Sequence, residues 1–220
     1  MRFRDRTEAG QRLIEPVRNL NLADPVVLAL PRGGVPIGFE VATALGAPLE
    51  VFVARKIGAP WHPETGIGAI AEGDVVVADR FALQMLAISK EQFDQLVDRE
   101  RQELHRRVER YRGSRPLPEL KDRAVILVDD GLATGVTAEA SLRALRGRRP
   151  HRLVLAAPTC AADSAERLRS VADDVVCVTS PEGFYAVGQS YAMFDQTTDD
   201  EVIELLTRAG GQIELRSESG

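Results

Sequence analysis

The sequence has little of what several common functions need. Its only two cysteines, Cys160 and Cys177, lie in separate apolar stretches without metal-ligand spacing, so we predict two buried thiols in a reducing compartment. It has 28 lysines and arginines against 33 aspartates and glutamates, and the resulting net charge of -5 argues against a nucleic-acid surface, which needs a basic face. The apolar runs are too short to span a membrane, and none follows the charged N-terminus as in a signal peptide. We therefore expect a cytoplasmic protein that binds neither nucleic acid nor a membrane.

Short apolar runs alternate with helical patterns along most of the chain. Several runs are β-branched and nearly unbroken, as expected of strands buried on both faces. This alternation predicts an α/β fold in which a parallel sheet is flanked by helices. The expected strands are residues 26–30, 49–53, 124–128, 153–157 and 175–178, and the expected helices are residues 35–45, 136–146, 164–171 and 199–208.

Residues 55–121 interrupt the alternation. Residues 69–78 have the pattern of a small β-hairpin that turns at Glu72-Gly73-Asp74. A capping box at Ser89 and Gln92 predicts the start of a long charged helix that ends near Gly113. We therefore predict a single domain over residues 1–220, whose core insertion contains a loop at 59–66, the hairpin and the long helix.

The segment Val125–Thr137 carries the main functional pattern. Four apolar residues predict a strand, Asp129 and Asp130 follow at its carboxyl end, and a small-residue loop leads into a helix. Ligands of open α/β sheets bind at the carboxyl ends of strands, and a helix N-terminus offers unpaired N–H groups and partial positive charge to a phosphate. Gly135 allows the backbone to approach that phosphate closely. The predicted phosphate-binding residues are Ala133, Thr134, Gly135, Val136 and Thr137.

Two carboxylates beside this site would repel a bare phosphate, but they suit a sugar phosphate. They can accept hydrogen bonds from vicinal sugar hydroxyls while the phosphate lies one turn further along, and a divalent cation bridging ligand oxygens would offset the repulsion. A simple turn after a strand is the alternative interpretation of Asp129-Asp130-Gly131. Because that interpretation leaves the loop and the helix start unexplained, the pattern favours a sugar-phosphate site.

This segment resembles the motif of type I phosphoribosyltransferases that binds 5-phosphoribosyl 1-pyrophosphate (PRPP): an apolar strand, two acidic residues and a loop ending in Ala-Thr-Gly-x-Thr. Gly131, directly after the acids, is a mild departure. The resemblance covers most of the chain and is closest to bacterial predicted phosphoribosyltransferases of unassigned substrate, which share the motifs at Phe3–Arg6, Leu30–Val35 and Arg55–Pro60.

The resemblance implies an activity and a set of roles. It implies transfer of ribose 5-phosphate from PRPP to a small-molecule nitrogenous base, with a purine-like acceptor favoured and pyrophosphate released. Asp129 and Asp130 would hold the ribose hydroxyls, and the loop would bind the 5-phosphate. Mg2+ would be bound through PRPP, with no direct protein ligand. The resemblance also implies a homodimer.

Two further groups of residues are implied to contact the pyrophosphate. Arg32, Gly33 and Gly34 follow the first predicted strand, and the resemblance implies that this loop holds pyrophosphate, often through a non-proline cis peptide bond. Arg55 and Lys56 are predicted to end the second strand, where a cation of related transferases reaches the pyrophosphate. We therefore add them to the acid pair as candidate catalytic residues.

The remaining candidates concern closure of the site and the acceptor base. The resemblance implies that the predicted loop 59–66 closes over PRPP, and His62 in it is either an acid–base group or an idle surface residue. Phe184 and Tyr185 follow the last core strand, where an aromatic residue stacks on the base in purine-using relatives; either could instead fill the loop against the core. Hypoxanthine–guanine-type relatives carry Asp at the position of Ala133, so another purine or a different nitrogen acceptor stays open.

Two rival functions are weighed against transfer. A non-catalytic regulator that binds PRPP or a nucleotide is the first, but such a protein need not stabilise a leaving group, so the cations Arg32, Arg55 and Lys56 favour catalysis. A phosphatase that uses the paired aspartates is weaker. The sequence Gly66–Ala71 matches a dinucleotide-binding fingerprint, but no strand precedes it and no helix clearly follows, so we exclude that function.

Overall fold

Five apolar segments form a parallel sheet in the computed structural model, which describes residues 2–217 except for the side chains of residues 64 and 212–217. In chain order the elements are α1 (Arg6–Arg18), β1 (Pro25–Ala29), α2 (Gly34–Leu45), β2 (Leu49–Val51), β3 (Ala54–Ala59), β4 (His62–Ala71), β5 (Val75–Ala78), α3 (Arg80–Met85), α4 (Lys90–Arg112), β6 (Ala124–Val128), α5 (Val136–Arg146), β7 (Arg152–Thr159), α6 (Ala162–Leu168), β8 (Asp174–Thr179) and α7 (Asp199–Ser217).

The parallel sheet has the strand order β2-β1-β6-β7-β8, and it confirms the predicted α/β fold. Successive side chains of a strand point to opposite faces. Accordingly, Val27 and Ala29 of β1 pack in one buried cluster with α1, α2 and α7, whereas Val26 and Leu28 pack in a second cluster with α5 and α6. Burial on both faces explains why these strands read as nearly unbroken apolar runs.

The insertion builds a second, antiparallel sheet from β3, β4 and β5. The predicted turn at Glu72-Gly73-Asp74 is confirmed, and so is the long helix α4 with its capping box at Ser89 and Gln92. Residues 59–66 are not an irregular loop, however. They form the tip of a hairpin in which Ala59 pairs with His62, because β4 begins seven residues before the predicted hairpin.

The predicted position of Arg55 and Lys56 at the end of the second parallel strand is wrong. The strand β2 ends at Val51, and both cations lie on β3 of the second sheet. The change of partner occurs at Val53, whose amide donates to the Glu72 carboxylate while its carbonyl accepts from the Glu72 amide. The apolar run that begins at Leu49 therefore belongs first to the parallel sheet, as β2, and then leads directly into β3 of the second sheet.

Three helical features lie outside the sequence predictions. The helix α1 begins after Asp5, whose carboxylate accepts a hydrogen bond from the Glu8 amide, and it contains Pro16, a residue that argues against a helix in sequence. The short helix α3 buries none of its residues, and α7 continues nine residues past its predicted end. No helix in the described part of the chain is long and apolar enough to cross a membrane.

The two cysteines form a disulfide, so the prediction of two free thiols is wrong. Cys160 follows β7 and Cys177 lies on β8, the neighbouring parallel strand. Their Cα atoms are 6.1 Å apart, a separation that a disulfide spans. The argument from free thiols to a reducing compartment falls with that prediction.

Reduction of this disulfide should lower the thermal stability of the protein. The bridge closes a loop with a sequence separation of 17, and a loop of that size contributes about 3 kcal/mol. We expect dithiothreitol to lower the melting temperature by roughly 6–12 °C, measured by differential scanning fluorimetry. The double variant Cys160→Ala/Cys177→Ala should not respond to dithiothreitol; an equal response in that variant would rule out the bridge as the cause.

Candidate active site at the carboxyl edge of the sheet

The acid pair lies where β6 ends, directly beside the loop that follows β1. The amide of Leu30 donates to the carbonyl of Val128, and Gly34 packs so closely that a Cβ there would lie 2.6 Å from the same carbonyl oxygen. A side chain at Gly33 would overlap the carboxylate of Asp130. Glycines at these two positions therefore bring the first loop against the acid pair, as expected for strands that share a carboxyl edge.

The predicted phosphate loop has carbonyls that accept hydrogen bonds within the protein, whereas its amides find no acceptor among the described residues. Ser164 donates to the carbonyl of Ala133 at 2.6 Å, and Arg167 donates to the carbonyl of Thr134 at 2.5 Å. None of the described residues accepts a hydrogen bond from the backbone amides of residues 133–137. The N–H groups of residues 133–137, which lead into α5 and open it, are therefore candidates to bind an anion.

The conformation of the loop depends on Gly135. Its φ is +66°, in the left-handed region, and it stands directly before the first residue of α5. A Cβ on this residue would lie 2.9 Å from Leu168 Cδ1. Both the backbone angle and the packing therefore require glycine here.

The first loop has the backbone feature that the resemblance implies. The peptide bond between Pro31 and Arg32 is cis. The Arg32 guanidinium lies 3.9 Å from the carboxylate of Asp199, the first residue of α7, so a neighbouring acid already attracts this predicted pyrophosphate ligand.

Arg55 also has an acidic partner. Its guanidinium lies 2.8 Å from the carboxylate of Glu100 on the long helix α4, through both Nε and Nη2. This pair joins the second sheet to α4. Lys56 follows it on β3, with an exposed side chain.

Three residues at the site were not found by sequence reasoning. Arg6 donates from Nε and Nη2 to one carboxylate oxygen of Asp130, at 3.0 and 2.9 Å. Its guanidinium lies 4.1 Å from the ring centroid of Phe194, and the hydroxyl of Tyr191 donates to the Asp130 carbonyl at 2.6 Å. The shared motif at Phe3–Arg6 was the one available signal for Arg6.

The two aromatic residues predicted to stack on a base differ in exposure. Tyr185 is 80% exposed and Phe184 is half-buried, in the segment that follows β8. The Gln189 side chain accepts hydrogen bonds from the amides of Tyr185 and Ala186, and Val187 packs on Gly131 beside the acid pair. The segment thus reaches the site through Val187.

A comparison with protein families identifies the family of the chain that carries this site. Residues 6–193 match the model described as phosphoribosyl transferase domain. The chain belongs to the phosphoribosyl transferase domain family. Both the phosphate loop and the acid pair fall within the matched residues.

Individual relatives support this membership. Two curated proteins of Mycobacterium tuberculosis, from strains CDC 1551 and H37Rv, are named provisionally as phosphoribosyl transferases. Each is 43% identical over 207 residues, which cover 94% of this chain and 47% of the relative. The chain therefore spans about half the length of the curated relatives it matches.

Solved structures share the fold. The crystal structure of TT1426 from Thermus thermophilus is 43% identical, with a TM-score of 0.79 over 94% of this chain and 99% of that chain. A hypothetical protein from Neisseria gonorrhoeae, solved with bound ppGpp, is 15% identical with a TM-score of 0.50 over 94% of this chain and 98% of that chain. The second likeness shows the fold alone.

The acid pair of this phosphoribosyl transferase domain has unusual electrostatics. Burial, with the neighbouring Asp130 charge as the second cause, raises the pKa of Asp129 well above its ordinary value. Burial also raises the pKa of Asp130, and the Arg6 guanidinium opposes that rise. Asp129 has no such cation in hydrogen-bond contact among the described residues, so its negative charge is the less compensated of the two.

The variant Asp129→Asn should be more stable than the wild type at pH 8. A carboxyl group whose pKa is raised in the folded state contributes its full stability below its ordinary pKa, and this contribution is lost as the pH rises through the folded value. The advantage of the variant should therefore shrink as the pH falls from 8 towards 5. Melting temperatures across this range measure it; a difference that does not change with pH would contradict the assignment.

Proposed function

We propose that this chain is a PRPP-dependent phosphoribosyltransferase that moves ribose 5-phosphate to a nitrogenous base, with a purine-like acceptor and release of pyrophosphate. The observation that carries the proposal is the row of five amides at residues 133–137 without an acceptor among the described residues, next to two carboxylates at the end of β6. An anion site and a hydroxyl-accepting site one turn apart match the two ends of a ribose 5-phosphate.

The loop would hold the 5-phosphate through its backbone. Its amides lie at the N-terminus of α5, where the helix dipole adds partial positive charge, and the hydroxyls of Thr134 and Thr137 add donors. Ser164 and Arg167 keep the loop carbonyls turned away from the anion. Binding would therefore need little rearrangement of the loop, which lowers its entropic cost.

The acid pair would orient the ribose, and Mg2+ would be bound mainly through PRPP. No group of three or more His, Cys, Asp or Glu side chains in the described residues is placed to hold a metal ion. Carboxylates are nevertheless the hard oxygen donors that Mg2+ prefers together with phosphate oxygens and water, so the acid pair fits an ion carried by PRPP. When bound, the ion would neutralise charge on the pyrophosphate.

Departure of pyrophosphate would be assisted by cations. Arg32, Gly33 and Gly34 would bind it from the first loop, and Arg55 and Lys56 from the second sheet. We also propose that the hairpin tip at residues 59–66 closes over PRPP, with His62 within it. Closure would exclude water from a cationic transition state that water would otherwise capture.

The acceptor would lie beyond the ribose, near the segment after β8. Phe184 and Tyr185 remain the proposed stacking residues, and the exposed ring of Tyr185 has little protein packing that a base would have to displace. Ala133 stands where hypoxanthine–guanine-type relatives carry an acid, which favours a different purine. We further propose a cytoplasmic homodimer.

One observation favours a second candidate, a regulator that binds PRPP or a nucleotide without turnover. Two of the cations proposed for the leaving group already face carboxylates, because Arg32 lies near Asp199 and Arg55 is paired with Glu100. A transferase must exchange these partners for pyrophosphate during each turnover. A regulator would not need to.

Pyrophosphate release separates the two candidates. The protein is incubated with PRPP, Mg2+ and single bases drawn from adenine, guanine, hypoxanthine, xanthine and pyrimidines, and pyrophosphate is measured by a coupled assay. We expect release that depends on one purine. Saturable PRPP binding without release on any base would establish the regulator instead.

The variant Gly135→Ala should lose PRPP affinity by about tenfold or more. A Cβ at this position strains a left-handed backbone and meets Leu168, so the amides of the loop shift. Gly73→Ala is the matched control, because Gly73 also has a positive φ, of +89°, but has no atom near its Cβ position and lies in the hairpin turn. Calorimetry with PRPP measures both; equal affinities in the two variants would refute the site.

A further inference from the structure

The side chain of Arg6 is held by contacts on every side. Two of its nitrogens donate to the same carboxylate oxygen of Asp130, and Nη1 donates to the carbonyl of Asp195 at 2.7 Å. The guanidinium carbon lies over the rings of Phe194 and Tyr191, 4.1 and 5.9 Å from their centroids. The paired side chains of Arg6 and Asp130 are only 12% and 16% exposed, so water screens the pair little.

The first loop packs against the same carboxylate oxygen of Asp130 that Arg6 binds. Gly33 of the first loop leaves no room for a Cβ beside it, and the Asp130 carbonyl accepts the hydroxyl hydrogen of Tyr191. Both Arg6 nitrogens bind Oδ2, so turning that oxygen towards a ligand would break the charged pair. Asp129, by contrast, makes one local contact, in which its Oδ1 accepts from the Asp130 amide.

We propose that the two acids divide their tasks, and that Arg6 is the positioning residue that divides them. Arg6 neutralises the charge of Asp130 and fixes its side chain between the first loop and the N-terminal helix α1. Asp129 is then the carboxylate that accepts the ribose hydroxyls. The inference deepens the proposed function and rests on it, because it names which acid the sugar contacts.

Charge explains why such a division is useful. PRPP brings several negative charges to an edge that already carries two carboxylates. Pairing one of them with a guanidinium removes a repulsion that would otherwise act on every bound ligand. Arg6 contacts both Asp130 and the carbonyl of Asp195, in the segment before α7, so three distant parts of the chain meet at one guanidinium.

A double-mutant cycle on PRPP affinity tests the division. Arg6→Gln leaves an uncompensated carboxylate beside the ligand, so affinity should fall by about tenfold or more. Adding Asp130→Asn removes that charge, so the double variant should recover most of the wild-type affinity. Asp129→Asn should lose affinity by a similar factor, and Arg6→Gln should not rescue it.

The controls separate positioning from a general loss of structure. All affinities are measured by calorimetry at a temperature where circular dichroism shows each variant folded. Arg146→Gln, which breaks a two-nitrogen pair with Asp173 on the outer surface, should leave affinity unchanged. The affinity of Arg6→Lys should lie between those of the wild type and Arg6→Gln, because an ammonium keeps the positive charge but cannot donate through two nitrogens at once.

Each outcome has one meaning. A double variant as weak as Arg6→Gln, or an Asp130→Asn single variant as weak as Asp129→Asn, would show that Asp130 itself contacts the sugar and would overturn the division. Wild-type affinity in Arg6→Gln would overturn the role of Arg6. These results leave the proposed function standing, whereas a wild-type protein that does not bind PRPP with Mg2+ would overturn both.

Discussion

The candidate site depends on how the structure accommodates two adjacent carboxylates at the end of a buried strand. They lie beside amides that have no acceptor in the described part of the chain, so one edge of the sheet combines unpaired donors with two acids. The surrounding structure compensates the two acids unequally: Asp130 is paired with Arg6, whereas burial leaves the charge on Asp129 unfavourable. A buried acid whose pKa is raised in this way is typical of a functional site.

The local parts of the fold could be predicted from the sequence, because neighbouring residues determine them. The parallel strands are continuous apolar runs, and α4 is indicated by its capping box. The loop before α5 was predictable for the same reason, since its glycine, its small residues and the start of the helix are contiguous. A thirteen-residue segment was enough to place the acid pair and the amides at one edge.

What could not be predicted depends on contacts between distant parts of the chain. Arg6 and Asp130 are separated by 124 positions, and nothing near either residue indicates the pair. The disulfide needed the knowledge that β7 and β8 are neighbours. Arg55 was predicted on the wrong sheet because the backbone of Val53 hydrogen-bonds to Glu72, a residue 19 positions away, instead of continuing the parallel sheet. In each case a tertiary partner overrode a local pattern.

The disulfide has a consequence for the phosphate loop that its position in the chain does not suggest. The covalent ring that it closes, from residue 160 to residue 177, contains the whole of α6. That helix supplies Ser164 and Arg167, the two side chains that donate to the carbonyls of Ala133 and Thr134 in this loop. The cross-link therefore limits how far the two ends of α6 can separate, and it restrains the two side chains that hold the carbonyls of the loop before α5.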